Sequence, residues 1–248
     1  MLKNYLQLNN YGGGLSEVGS LIRQGVPSAI FNVCFFAKCQ IVGCNGNKSL
    51  FIVKDNLTLE KTAEQISQMT GEKVATLYPK DDVVLNSKAL SKFSLYRRLN
   101  GLYDITKGAR VVVTTFESLL QLMPRRLEVI TLEKGKEYDL DSTVKTLVRL
   151  GYKREEEVTE KGSFALRGDI LEVYPINAEN PLRFDFFGDE LESIKSFESE
   201  TREKLSLLNK AEILMATDVT IAQEEIPEII SALSGELKRQ KTPTLTLA

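Results

Sequence analysis

One predicted strand combines residue types that proteins use to recognise other proteins. In LRFDFF, residues 182–187, apolar side chains alternate with Arg183, Asp185 and Phe187. Successive side chains of a strand point to opposite faces, so one face would be apolar and the other would carry an arginine, an aspartate and a large aromatic ring. An aromatic anchor beside arginines is typical of interface hot spots, and arginine can pair bidentately with a partner's carboxylates. A solvated strand face would explain Arg183 and Asp185 as well, and Phe187 could tuck under the following turn.

A phosphate-binding loop is the second chemistry that these residues could support. Such a loop reads GxxxxGK[ST], follows a strand and opens a helix, so that backbone N–H groups and the lysine surround the phosphates. Residues 43–49, GCNGNKS, come close, but Asn47 separates Gly46 from Lys48 and a strand pattern follows. At the expected position, residues 34–39 read CFFAKC, with aromatic side chains where glycines must let phosphate approach. We therefore predict a degenerate loop, with no bound nucleotide and no other cofactor.

Metal binding and nucleophilic catalysis have less support. Cys34, Cys39 and Cys44 lie in one short stretch, but they form no C-x-x-C pair and the chain has no histidine to complete a zinc site. Free thiols on an apolar segment are the simpler interpretation. The absence of histidine also excludes Ser-His-Asp and Cys-His nucleophiles. We predict a non-enzymatic chain, with a small carboxylate-based enzyme as the alternative.

The overall composition is that of an ordinary globular protein, with 42% hydrophobic and 27% charged residues in a chain of 248. No apolar run approaches the ~20 residues of a membrane span. The first residues lack the apolar core of a signal peptide. We therefore expect a cytoplasmic protein without a membrane partner.

Charge is distributed unevenly along the chain, although the net charge is only -2. Residues 1–130 carry 16 basic and 10 acidic side chains, whereas residues 160–200 carry 4 basic and 10 acidic ones. Nucleic-acid sites usually lie on basic surfaces, so arginines within the acidic segment favour a protein partner. The basic first half leaves a DNA-binding module as an alternative, and its binding would weaken steeply with salt.

Strand and helix patterns alternate over about residues 25–125, which predicts an α/β region with a mostly parallel sheet. Its first strand is predicted over residues 27–33. Residues 87–108 have helical spacing, with a break expected near Asn100 and Gly101. Later in the chain, consecutive strand patterns with turn signals at PINAENP and FGDE predict antiparallel hairpins.

This change of pattern suggests a division into three segments. Residues 1–126 are interpreted as the α/β domain, and residues 127–215 as a small inserted α+β domain with antiparallel strands. Residues 216–248 would begin a segment that returns toward the first domain and contain a terminal helix.

Two long stretches carry a family resemblance. Residues 101–124 and 147–203, the latter containing RGDILEVYP and RFDFFGDELESI, together with the degenerate loop resemble the N-terminal region of the bacterial transcription-repair coupling factors, the Mfd family. That region is itself similar to UvrB, a damage-recognition helicase. Residues 78–99 lack the tyrosine-rich hairpin with which UvrB clamps damaged DNA. The missing hairpin and the degenerate loop favour a coupling factor over the alternative of a UvrB-type fragment.

The resemblance implies a function as well as a fold. It implies a helicase-like first domain that has lost nucleotide binding, and an inserted domain that docks UvrA in transcription-coupled nucleotide excision repair. Family positions that contact UvrA match Arg167, Arg183 and Phe187 in this chain. The family also implies an ATP-driven translocase, with RNA polymerase and DNA contacts, in other domains. A C-terminal domain of the whole protein would mask the UvrA-docking face at rest.

Overall fold

The computed structural model describes residues 14–80, 92–220 and 226–239. Its helices are α1 (Gly14–Arg23), α2 (Phe35–Cys44), α3 (Asn56–Thr70), α4 (Lys92–Thr106), α5 (Phe116–Leu120), α6 (Leu140–Arg149) and α7 (Ile226–Arg239). Its strands are β1 (Ser49–Val53), β2 (Ala75–Leu77), β3 (Val111–Thr115), β4 (Val129–Glu133), β5 (Lys153–Arg154), β6 (Ser163–Arg167), β7 (Ile170–Val173), β8 (Leu182–Phe187), β9 (Glu190–Phe197), β10 (Lys204–Leu208) and β11 (Lys210–Leu214).

The first region is built on a parallel sheet with the strand order β1-β3-β2. Helix α3 connects β1 to β2 and packs Leu59 and Ile66 into the same cluster as Val113 of β3. The ends of α3 are defined by its sequence. Asp55 accepts a hydrogen bond from the backbone N–H of Thr58 at 2.7 Å, and Gly71 ends the helix with a φ of 68°.

The predicted first strand, over residues 27–33, is wrong. Residues 26–34 form an irregular segment between α1 and α2. Asn32 has a φ of 55°, which is incompatible with a continuous extended strand, and the Phe31 side chain is 82% exposed. The segment therefore adds no strand to the described sheet, and the aromatic residues that follow it lie at the start of α2.

The predicted helix break near Asn100 and Gly101 is also wrong, because α4 runs without interruption through both residues. A Cβ atom on Gly101 would lie 2.0 Å from the carbonyl oxygen of Thr76 in β2, so glycine is needed for close packing of α4 on the sheet. The Asn100 side chain donates a hydrogen bond to the carbonyl of Ile176 at 2.8 Å. Residues 87–91 of the predicted helical stretch lie outside the described residues.

The second region contains a six-stranded sheet with the order β10-β9-β8-β7-β6-β5. Neighbouring strands from β6 to β10 are antiparallel, and β5 pairs in parallel with β6. One face of this sheet is apolar, with Phe164, Leu171, Phe184 and Ile194 fully buried. This face belongs to the larger hydrophobic cluster of the structure.

Helix α4 contributes to both regions. It contacts β2 in the parallel sheet, while its Tyr96 and Leu99 side chains belong to the cluster beneath the six-stranded sheet. Strand β11 pairs with β4 in a separate two-stranded ribbon and does not continue the hairpin series from β10. The sequence pattern alone had suggested a simple succession of hairpins there.

The predicted combination of a parallel α/β region with later antiparallel strands is confirmed in this coarse form. The predicted terminal helix is present as α7. The proposed boundaries near residues 126 and 215 stay a prediction. No helix in the described ranges is both long and apolar enough to cross a membrane.

Candidate protein-interaction site

The face of the six-stranded sheet that points away from the hydrophobic core carries most of its charged side chains. The alternation predicted for β8 is confirmed, because Leu182, Phe184 and Phe186 are buried while Phe187 is exposed and Arg183 and Asp185 are partly exposed. Cross-strand pairing extends this face over β6 to β9. We call it the outer face. Its residues are Arg167, Ile170, Glu172, Arg183, Asp185, Phe187, Ser193 and Lys195.

Two tight hairpins place Arg167 and Phe187 at the same end of the sheet. Each is the last residue of its strand and precedes a glycine with positive φ, 58° at Gly168 and 59° at Gly188. The Phe187 side chain is 76% exposed, so it does not tuck under the turn. A large exposed aromatic ring at a strand end is available for contact with another molecule.

Asp185 organises the centre of the outer face. Its carboxylate accepts hydrogen bonds from Arg183 Nε at 2.7 Å, Ser193 Oγ at 2.6 Å and Lys195 Nζ at 2.5 Å. Partial burial alone would raise the pKa of Asp185, but the hydrogen bonds from Lys195, Ser193 and Arg183 outweigh it and lower the pKa to about 2. Asp185 is therefore ionised near neutral pH and holds two cations on the outer face.

Arg167 lies two strands away from Asp185 in the same row of cross-strand pairs, with Ile170 between them. Its guanidinium donates to the carbonyl oxygen of Glu156 at 2.5 Å and lies 3.5 Å from the carboxylate of Glu157. The side chain remains 54% exposed. The structure thus places Arg167 on the same face as Arg183 and Phe187, the two of these residues whose shared face the alternation of β8 predicted.

Sequence reasoning missed the residues at the other end of this face. Arg202, in the turn between β9 and β10, donates to both carboxylate oxygens of Glu172 at 2.6 and 2.7 Å. Its guanidinium also lies over the ring of Phe197, 4.5 Å from the centroid. Lys195 could have been found by pairing β8 with β9 in sequence, because it lies directly opposite Arg183. Arg202 has no local signal, because its carboxylate partner Glu172 lies on β7, 30 positions earlier.

The residues that were considered for phosphate or metal binding lie in and around α2. Residues 35–39 lie within α2, and Phe35 and Phe36 are 44% and 50% exposed. Cys34 is exposed, Cys39 is buried and Cys44 is half-buried, all as free thiols. Within the described ranges, no group of three or more acidic or cysteine side chains is placed to hold a metal ion.

The sequence of this chain is similar to those of several known proteins. Residues 130–218 match the family model of the UvrB interaction domain. A transcription-repair-coupling factor of Bacillus subtilis is 28% identical over 206 residues, covering 79% of this chain and 18% of that protein. The corresponding Staphylococcus epidermidis protein is 29% identical over 253 aligned positions, covering 96% of this chain and 20% of its own length.

The UvrABC system protein B of Fervidobacterium nodosum is also similar, at 28% identity over 165 residues, covering 65% of this chain and 25% of that protein. The chain thus spans about a fifth of the length of the coupling factors that it matches. The resemblance to coupling factors noted in the sequence is confirmed, and the family match covers every outer-face residue.

Proposed function

We propose that this chain is a UvrA-recruiting module acting in transcription-coupled nucleotide excision repair, because residues 130–218 match the family model of the UvrB interaction domain and the chain is similar to transcription-repair-coupling factors. Its role would be to dock UvrA through the outer face of the six-stranded sheet. The carrying observation is the exposed Phe187 ring, placed on one face with Arg183 and Arg167 inside the matched segment.

The chemistry of the outer face supports this proposal. Phe187 offers a large apolar surface with few rotatable bonds, so little conformational freedom is lost on binding. Arg183 engages Asp185 through Nε, which leaves its terminal nitrogens for a partner's carboxylate. Asp185 fixes the direction of this arginine before a partner arrives. Such preorganisation reduces the entropy lost when an interface forms.

The proposal places catalysis in other domains of the whole protein. The module itself would bind no nucleotide and would be non-catalytic, since aromatic residues occupy the region where a phosphate loop needs glycines. An ATP-driven DNA translocase and the contacts to RNA polymerase and DNA would belong to other domains of the whole protein. A C-terminal domain there would cover the outer face until UvrA binding is required.

The rival function of a DNA-binding module finds less support in the arrangement of cations. Several basic residues of the first region already have carboxylate partners within 3 Å, namely Lys73 with Asp104, Arg97 with Glu60 and Arg110 with Glu72. Arg98 is buried. These side chains contribute less to a phosphate-binding surface than the count of basic residues suggests.

Calorimetric titration of the chain with UvrA from the same organism tests the proposal. The parent should bind, and Arg167→Ala, Arg183→Ala and Phe187→Ala should each weaken binding by about 1–2 kcal/mol, as truncation of interface anchors does. Matched controls are Phe116→Ala, whose ring is 64% exposed in the first region, and the exposed Arg154→Ala on β5. Circular dichroism would verify the fold of every variant.

Failure of the parent to bind UvrA would refute the docking function. Salt-dependent binding to duplex DNA by the same chain would then favour the DNA-binding alternative. Binding of a fluorescent ATP analogue by the first region would instead favour a UvrB-type fragment.

A further inference from the structure

A cleft on the outer face is lined mainly by cationic side chains, and only one of its lining residues, Arg183, is among the proposed docking residues. It has a volume of about 470 Å³ on the outer face. The lining residues are Glu172, Arg183, Lys195, Phe197, Arg202 and Lys204. Four of these six side chains are cationic and one is acidic, so the cleft attracts anions although the surrounding segment is acidic.

Arg202 is held rigidly at this cleft. Its Nη2 donates to both oxygens of the Glu172 carboxylate, while the guanidinium stacks over Phe197. Glu172 is 4% exposed, so its carboxylate lies in the base of the cleft and anchors the arginine from below. A guanidinium held by two such contacts loses little further freedom when it binds a ligand.

The backbone at Arg202 is unusual for an arginine. Its φ is 63°, in the left-handed region that favours glycine, and its N–H donates to the carbonyl of Glu198 at 3.0 Å. The Glu198 carboxylate accepts hydrogen bonds from the backbone N–H groups of Glu200 and Thr201, which closes the turn. Since glycine would suit this backbone better, the contacts of the side chain account for the presence of arginine.

The cations of the cleft keep donors for a ligand. Arg183 uses Nε on Asp185, and Arg202 uses Nη2 on Glu172. Lys204 forms no ion pair with any residue that the structure describes. A guanidinium has five N–H donors, so most of those on the two arginines stay available.

Resting on the proposed docking function, we propose that this cleft receives an acidic side chain, or a short acidic run, of the docked protein, with Arg202 as a specificity-determining residue. Arg183 belongs both to the Asp185 network and to the cleft, so the cleft continues the docking face. A single carboxylate can enter between the cations. The excess of acidic residues in positions 160–200, 10 against 4 basic ones, disfavours the long polyanionic backbone of a nucleic acid.

The central experiment uses variants that remove the cation while preserving the turn. Arg202→Gly suits the left-handed backbone, and combining it with Glu172→Gln avoids leaving a buried carboxylate unpaired. We expect this double variant to bind UvrA about tenfold more weakly and with a shallower salt dependence than the parent. Glu172→Gln alone keeps the Arg202 cation but weakens its anchor, so its binding should be weakened less than that of the double variant.

Arg202→Asn, again combined with Glu172→Gln so that no buried carboxylate is left unpaired, provides a second test, since asparagine also tolerates the left-handed conformation. Arg154→Ala is the control for removing a cation away from the cleft. Parental affinity and salt dependence in the Arg202 variants, alongside weakened binding of Phe187→Ala, would overturn the cleft proposal and leave the docking function standing. Absence of parental binding would overturn both.

A direct titration distinguishes ligand types. In NMR spectra of the chain, a hexaglutamate peptide should shift the side-chain signals of Arg202 and Arg183, and the Arg202→Asn variant should lose the response. Inorganic phosphate at the same concentration should shift them less. Displacement of the peptide by an equal or lower concentration of a short oligodeoxythymidylate would identify a nucleic-acid site and contradict the proposal.

Discussion

Arg98 and Arg183 each lie beside a sheet, but their surroundings differ completely. In the first region, Arg98 is 1% exposed and donates to the carbonyls of Tyr78 and Ser118 and to the Ser118 hydroxyl. On the six-stranded sheet, Arg183 stands on the outer face, tied to Asp185 and with its side chain 39% exposed. Arg98 links the segment after β2 to α5 inside the protein, whereas Arg183 is partly exposed on the outer face.

The difference in exposure between these two arginines is the opposite of what the net charges of their segments suggest. Residues 1–130 have an excess of basic residues and residues 160–200 an excess of acidic ones. Nevertheless, several cations of the first segment are buried or paired with carboxylates, while Arg183 and Lys195 of the second, although paired with Asp185, line a cleft together with Arg202 and Lys204. The net charge of a segment therefore does not indicate which of its charges are available for binding.

Among the variants that test this contrast, Arg98→Ala should change the free energy of unfolding most. Removing the guanidinium leaves buried carbonyl groups of Tyr78, Ser118 and Gln121 without their donor, so the free energy of unfolding should fall by about 3 kcal/mol. Urea denaturation followed by circular dichroism measures it. Arg183→Ala should lower the same quantity by less than about 1 kcal/mol. Equal losses for the two variants would remove the distinction between an internal and a presented arginine.

Gly101→Ala should reverse the usual effect of this substitution in a helix. Alanine normally stabilises a helix interior by about 1 kcal/mol relative to glycine. Here its Cβ would clash with the Thr76 carbonyl, so we expect a loss of about 2 kcal/mol because α4 must move away from β2. Gly235→Ala in α7 is the matched control, since no described atom lies within 4 Å of its Cβ position. A thermal melt in which both variants gain stability would show that α4 has room on β2.

Asp185→Asn should make the six-stranded region less stable in a pH-dependent way. The pKa of Asp185 is about 2 in the folded protein and 3.8 as the reference value, so the folded state favours the charged form. The resulting stability, on the order of 2 kcal/mol, is present above about pH 4 and is lost as the pH falls toward 2.

Urea denaturation at several pH values measures this dependence. The parent and Asp185→Asn should differ most near neutral pH and converge in acid. A constant difference between them at every pH would contradict the role assigned to the carboxylate. Ser193→Ala, which removes one neutral donor to the same carboxylate, should show a smaller version of the parent's dependence.

The smallest effect on stability is expected for Phe187→Ala, although this variant should weaken UvrA binding. The ring is 76% exposed, so its removal should change the free energy of unfolding by no more than about 0.5 kcal/mol. Differential scanning calorimetry provides the measurement, with Phe116→Ala as a similarly exposed control. A substantial loss of stability in Phe187→Ala alone would mean that the ring serves packing within the chain rather than docking.

Much of the outer face could be predicted from local pattern. Strict alternation in residues 182–187 separates inward Phe184 from outward Arg183, and the FGDE turn signal predicts the tight hairpin after Phe187. The hairpin after Arg167 was not predicted. These features depend on neighbouring residues and on the two-residue period of a strand. The same local logic failed for residues 27–33, where an apolar run was interpreted as a strand but makes no pairing in the described sheet.

Non-local contacts account for the remaining differences. Gly101 was interpreted as a helix break, because the local sequence does not show that α4 packs closely against Thr76 at this residue. Strand β11 could equally have extended the hairpin series. Instead it pairs with β4, about 80 positions earlier, in a two-stranded ribbon. Arg202 gave no signal, since Glu172 reaches it from another strand.

By itself, the sequence determined most of the succession of helices and strands, the two faces of β8, and the lack of histidine-based chemistry, because these follow from composition and from short-range periodicity. Tertiary structure alone decided which cations are buried and which are presented. It gathered Arg183, Lys195, Arg202 and Lys204 around one cleft in an acidic segment. The physical reason is that strand pairing sets neighbours across the sheet independently of their distance along the chain.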